Sequence, residues 1–152
     1  MDDAGAALHA ALDARGETVG CAESLTGGEL ASLLSATPGA SRTFVGGVVT
    51  YATELKRRLL GVTATQVVSA ECAVQMAVGV RELLGVDWAL STTGVAGPDL
   101  QEGQPAGTVF VGLAGPGSAR SVRLALDGDR SAVRAAACAG ALDLLLAEVS
   151  DG

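Results

Sequence analysis

Apolar and polar positions along this chain repeat with two periods, one helical and one strand-like, and the switches between them mark out its elements. From about Asp3 to Arg15, Ala7, Leu8, Ala11 and Leu12 recur at helical spacing, with Gly16 as the stop. Thr18 to Ala22 is a short apolar run that reads as a buried strand, and it leads straight into Ser24-Leu25-Thr26-Gly27-Gly28. Ser24 is therefore expected at a strand-to-helix turn, with the next helix from Glu29 to Ser35 closing near Pro38-Gly39. Phe44 to Tyr51, with Val45, Val48, Val49 and two glycines, reads as a second strand packed closely against a neighbour. Thr53 to Leu60 reads as a short helix. Ser69 caps a longer one to Leu84, whose Ala73, Met76, Ala77, Val80 and Leu84 form one stripe while Glu71, Gln75 and Glu82 form another.

Asp87 to Thr93 is the third predicted strand, followed by an irregular loop from Val95 to Gly107; loops of that length usually have a function. Thr108 to Ala114 and Arg120 to Ala125 flank Gly115-Pro116-Gly117-Ser118 and read as a hairpin. Arg130 to Val149 is a final helix, apolar almost all round, which suits either sandwiching between neighbours or a homodimer interface. Helices and strands alternate and a hairpin follows. The predicted fold is thus α/β: a three-layer α/β/α sandwich on a mixed, mostly parallel sheet with a hairpin in the C-terminal half, forming one domain over residues 1–152.

Composition narrows the function classes. Hydrophobic residues make up 49% and charged residues 18%, so the chain should fold; its longest uncharged stretch, Gly103 to Ala119, holds five glycines and two prolines and is unsuited to crossing a membrane. No secretory pattern opens the chain, and Cys21, Cys72 and Cys138 show no paired spacing, so a cytoplasmic location is expected. The formal charge of −7 argues against a nucleic-acid partner. The single histidine, His9, falls within the first helix, where it reads as structural or solvated; a Ser-His-Asp triad is therefore not expected. Zinc-ligand spacings and the common phosphate-binding glycine motifs are missing, so neither a metal nor a cofactor is expected.

Arginine outnumbers lysine nine to one, which singles out Lys56. An arginine can serve any general cationic role, but it does not accept a proton reversibly. Ser24, at its turn, is placed to be a nucleophile, with amides at Gly27 and Gly28 free to approach an oxyanion; the alternative is that Ser24 or Thr26 simply caps the helix. Glu23 is either a hydrogen-bonding partner of that turn or a solvated carboxylate. Tyr51 and Lys56 fall at the end of the next strand and in the first turn of its helix, along the same sheet edge. With Thr53 as N-cap, Lys56 occupies N3, where the helix end, Arg57 and Arg58 disfavour its protonated form. A neutral Lys56 could take the Ser24 proton with the Tyr51 phenol assisting; the alternative is a solvated Lys-Arg-Arg face. Thr92, Thr93, Gly94 and Gly97 form a second strand-end cradle, and Gly128-Asp129-Arg130 a turn carrying a cation. Either could hold a phosphate, or serve only as turn and cap.

Ala22-Glu23-Ser24-Leu25-Thr26-Gly27-Gly28, Val49-Thr50-Tyr51 with Lys56, Gly94-Val95-Ala96-Gly97-Pro98, Pro105-Ala106-Gly107-Thr108-Val109 and Gly128-Asp129-Arg130 together resemble the CinA C-terminal domain family, over nearly the whole chain. The resemblance implies an α/β/α amidase that hydrolyses the carboxamide of nicotinamide mononucleotide to nicotinic acid mononucleotide and ammonia, in pyridine-nucleotide recycling. It places the catalytic serine, tyrosine and lysine on Ser24, Tyr51 and Lys56. Glu23, Thr26, Gly27, Gly28, Thr93, Gly94, Gly97 and Arg130 are then expected to meet the substrate. Leu25 replaces a frequent cysteine, and Leu100-Gln101 and Gln104-Pro105 replace the usual Gly-Gly and Lys-Pro. The altered loop motivates a second reading, a non-catalytic nucleotide-binding or regulatory module. Larger members carry a further N-terminal domain, so any second activity is expected to come from elsewhere.

Overall fold

A computed structural model describes residues 3–150; the domain bounds expected at Met1 and Gly152 lie outside them. In chain order the elements are α1 (Asp3–Arg15), β1 (Val19–Glu23), α2 (Glu29–Ser35), a 3-10 turn (Ala40–Arg42), β2 (Phe44–Val49), α3 (Thr53–Leu60), α4 (Ala70–Leu84), β3 (Trp88–Gly94), β4 (Thr108–Gly115), β5 (Ser118–Ala125) and α5 (Arg130–Ser150). The sheet runs in the order β2-β1-β3-β4-β5. β1 pairs parallel with both β2 and β3, while β4 pairs antiparallel with β3 and with β5. Only β4 therefore opposes the others, as a mostly parallel sheet closed by a hairpin requires.

Alternation along the strands builds two unequal faces. Val19, Cys21, Leu90, Val109, Val111 and Leu113 point to one side, where they pack with Leu8 and Leu12 of α1, Leu30 and Leu34 of α2, and Val133, Leu142 and Leu145 of α5. Ala22 and Ala89 point to the other, against Leu60 of α3 and Cys72, Met76 and Val80 of α4. Small residues on that second face let α4 approach closely. A Cβ on Gly112 would stand 2.3 Å from the Ala73 carbonyl oxygen, and Ser91 Oγ donates to the same oxygen at 2.6 Å. A side chain at residue 112 would push α4 off the sheet.

Three details differ from the sequence reading. In α1, Ala7 is exposed and His9 is buried in its place, bonded through Nδ1 to Thr43 Oγ1 and through Nε2 to the Leu34 carbonyl at 2.7 Å. Packing of α1 on α5 turns that stripe, and His9 links α1 to α2 and to the segment after it. β2 stops at Val49, and the carbonyls of Thr50 and Tyr51 beyond it turn to Lys56 Nζ. As an edge strand it also leaves Val45 and Val49 exposed, although the expected close approach does occur at Gly47, where a Cβ would lie 2.7 Å from Cys21 Sγ. Finally, the N-cap of α3 is Ala52, not Thr53, so Lys56 is the fourth helical residue.

α5 buries Val133, Ala137, Cys138, Ala141, Leu142, Leu145 and Val149 between α1 and α2, and its exposed positions are small or polar residues such as Ala132, Ala139, Asp143 and Glu148. Its apolar character is thus used within the subunit. No helix among the described residues is long and apolar enough to cross a membrane.

Candidate active site

The chain steps from β1 outward to β2, then returns across β1 to β3. At such a reversal the two crossovers leave on opposite faces, and a crevice opens at the carboxyl ends of the central strands. Ser24, Tyr51 and Gly94, each just beyond or at the end of β1, β2 and β3, meet there. They line a cleft of about 270 Å³ together with Leu25, Val95 to Gln101 and Arg130.

Below the cleft lies a fully buried lysine. Lys56 is 1% exposed, and its Nζ has three neighbours: Ser24 Oγ at 2.9 Å, the Thr50 carbonyl at 2.8 Å and the Tyr51 carbonyl at 3.0 Å. No carboxylate pairs with it among the described residues. Desolvation pulls its pKa below the ordinary lysine value, outweighing nearby Cys72 and Glu102, which act the other way. The direction agrees with the sequence expectation, but burial is the leading cause, in place of the expected helix end and arginines. Three hydrogen-bonding directions suit both protonation states. A neutral amine gives its two hydrogens to the two carbonyls and turns its lone pair to the serine hydroxyl, whereas an ammonium donates to all three.

Glu23 is the second buried charge, at 0% exposure. Its Oε1 accepts from Thr26 Oγ1 at 2.6 Å, Gly28 N at 3.1 Å and Leu30 N at 2.8 Å, and its Oε2 from Ala31 N at 2.8 Å. The carboxylate from the end of β1 thereby satisfies the start of α2, whose N-cap, Gly28, has no side chain to do so. Neither Ser24 nor Thr26 is the cap. Ser24 is left with its hydroxyl on Lys56.

The match to known proteins covers almost all of this architecture: residues 2–149 match the CinA C-terminal domain. The chain belongs to that family. A CinA-like protein of Frankia casuarinae is 48% identical over 136 residues, covering 86% of this chain and 31% of that protein. One of Citrifermentans bemidjiense is 46% identical over 151 residues, covering 95% of this chain and 36% of its own length. The chain spans about a third of the curated relatives it matches. Among solved structures, a CinA superfamily protein of Klebsiella pneumoniae superposes with a TM-score of 0.95 at 35% identity, covering 99% of this chain and 98% of that one.

Within this CinA domain the expected site residues separate into two groups. Ser24, Tyr51, Gly94, Gly97 and Arg130 line the cleft, and Lys56 sits directly beneath Ser24. Glu23, Thr26 and Thr93 face inward: Thr26 Oγ1 is shared between Glu23 and Thr92, and Thr93 Oγ1 donates to the Val67 carbonyl at 2.6 Å. Their side chains are bonded within the protein, and none of the three lines the cleft. The amides of Gly27 and Gly28 are likewise taken, by the Ser24 carbonyl at 3.0 Å and by Glu23, so they are not available to an oxyanion. Tyr51 also differs from expectation. Its side chain is 58% exposed and its hydroxyl accepts from Arg130 Nη2 at 2.9 Å, so its carbonyl, not its phenol, touches Lys56. Arg130 donates in addition to the Gly97 carbonyl at 2.7 Å, closing a bridge over the cleft rim. Asp129 caps α5 through Ala132 N at 2.9 Å.

Three functional features are missing from the sequence reading. The Leu25 N–H follows Ser24, borders the cleft and has no acceptor among the described residues; the Ala96 and Gly97 amides, which belong to the cradle expected at the end of β3, share that state. Glu102 straps the long loop down, its two oxygens accepting from Val67 N at 2.9 Å and Val68 N at 2.8 Å, while Gln104 Nε2 donates to the Val68 carbonyl at 2.7 Å. Arg134 reaches from α5 to the Thr26 carbonyl at 3.0 Å and steadies the turn that carries Ser24. The only signals for these were the length of the loop and its polar residues.

Proposed function

We propose that this CinA domain is a serine amidase that hydrolyses the carboxamide of nicotinamide mononucleotide to nicotinic acid mononucleotide and ammonia. The observation that carries the reading is the contact between Ser24 Oγ and a buried lysine that has no carboxylate partner among the described residues. Burial lowers the free energy of the neutral amine relative to the ammonium, which suits Lys56 to act as the base. In the reaction Ser24 Oγ forms a bond to the carboxamide carbon as its proton passes to Lys56 Nζ. The Leu25 N–H stands beside the oxyanion that develops. Collapse breaks the carbon–nitrogen bond, and the Lys56 ammonium returns the proton to the departing nitrogen, releasing ammonia. A water then attacks the acyl ester, giving its proton to Lys56, which passes one back to Ser24. Arg130, whose guanidinium bridges the rim, is the group suited to the phosphate.

The test is ammonia release from nicotinamide mononucleotide by the wild type and by Ser24→Ala, with chelator present throughout. Activity in the wild type and a loss of at least about a thousandfold in the variant supports the covalent route. A folded wild type that binds the nucleotide and releases no ammonia points instead to the binding-module reading.

A further inference from the structure

The cleft carries two charged side chains of opposite sign. Of the residues lining it, only Asp99 and Arg130 are charged. Arg130 is engaged at both terminal nitrogens, with the Gly97 carbonyl and the Tyr51 hydroxyl. Asp99 makes no ion pair and no side-chain hydrogen bond among the described residues. Its backbone is nonetheless held on both sides. The Gly97 carbonyl is bound by Arg130, and Gln101 is bridged to Gln104 beyond a turn whose Glu102 is bonded to Val67 and Val68. Asp99 thus lines the cleft as an exposed residue on a loop held at both ends, with no protein partner for its carboxylate among the described residues.

An unpaired carboxylate in the cleft of a chain of net charge −7 disfavours a simple anion there. It favours a ligand that brings a positive charge together with its phosphate. Building on the amidase reading, we propose that Asp99 is a specificity-determining residue: its carboxylate selects a phosphate-bearing ligand whose ring is a cationic, N-substituted pyridinium over the same ligand with a neutral ring. Arg130 and Asp99 then complement the two ends of a zwitterion. No bond is made or broken by Asp99; it acts on binding of the ring in ground and transition states alike, so its effect belongs in KM more than in kcat.

The experiment compares wild type, Asp99→Asn and Asp99→Glu at low and moderate ionic strength. It measures KM and kcat for nicotinamide mononucleotide, and the inhibition constant of the 1,4-dihydropyridine form, which keeps the carboxamide, ribose and phosphate but has an uncharged ring. Asp99→Asn is expected to raise KM about three- to tenfold at low salt and less at moderate salt, with kcat changed less than about twofold. The inhibition constant of the neutral-ring form should stay level or fall, and Asp99→Glu should restore most of the discrimination. Equal weakening of both ring forms, or no change at low salt, overturns the proposal. If the wild type releases no ammonia, the amidase reading fails separately, and calorimetric dissociation constants for the same two compounds decide on Asp99 by the same ratio. Failure of both to bind overturns it as well.

Discussion

Lys56 shows how one residue's chemistry depends on what surrounds it. A lysine in water holds its proton to the ordinary value of 10.5; here burial moves that value down. The base must be unprotonated to accept from Ser24, so kcat/KM should rise with pH as Lys56 loses its proton, with a midpoint below 10.5. Lys56→Arg, whose guanidinium stays charged, should fall by at least about a hundredfold at every pH and lose that rising limb. Steady-state rates across the pH range check both, and a full-rate Lys56→Arg removes the base assignment. The sequence could single out Lys56, because it is the only lysine and lies next to a strand end. It could not supply the cause of the shift, because burial is a property of α3 and α4 packing together over that side chain.

The elements around the site are held by carboxylates that do no chemistry. Glu23 satisfies four donors at the start of α2; its removal leaves the Gly28, Leu30 and Ala31 amides unpaired, while the Thr26 hydroxyl keeps Thr92. Glu23→Ala should therefore lose about 3 kcal/mol in urea denaturation, whereas Ser24→Ala stays within about 1 kcal/mol. Glu102 does the same for the long loop, joining its tip to the segment before α4. Glu102→Ala should make residues 98–104 a protease target and raise KM about tenfold with a smaller change in kcat. Limited proteolysis with mass mapping, alongside kinetics, tests that. Both carboxylates were visible in the sequence as charged neighbours of a motif. Glu23 was expected as one alternative to bond within the turn, and it does, reaching residues up to eight positions on; the role of Glu102 was not visible, since its partners lie more than thirty residues away.

For the molecule as a whole, the question raised by α5 is whether its apolar length serves the subunit or a partner. Its large residues are buried against the sheet, α1 and α2, and the outward positions include Ala132, Ala135, Ala139 and Ala147. Ala139→Glu is accordingly expected to leave both the mass by light scattering and the melting temperature within about 2 °C of wild type. A change in mass would show that this face is an interface. At this scale the sequence by itself determined the element order, the two periodicities, the hairpin and the segments bearing Ser24, Tyr51, Lys56 and Gly94, because propensity, turn residues and amphipathic spacing are local. Only the tertiary structure decided that the chain reverses direction across β1, that Ser24 meets Lys56, that the Tyr51 hydroxyl turns to Arg130, and that Glu23 and Thr93 face inward. Those outcomes depend on distances between residues far apart in the chain, and on which side chains lose water when the layers close.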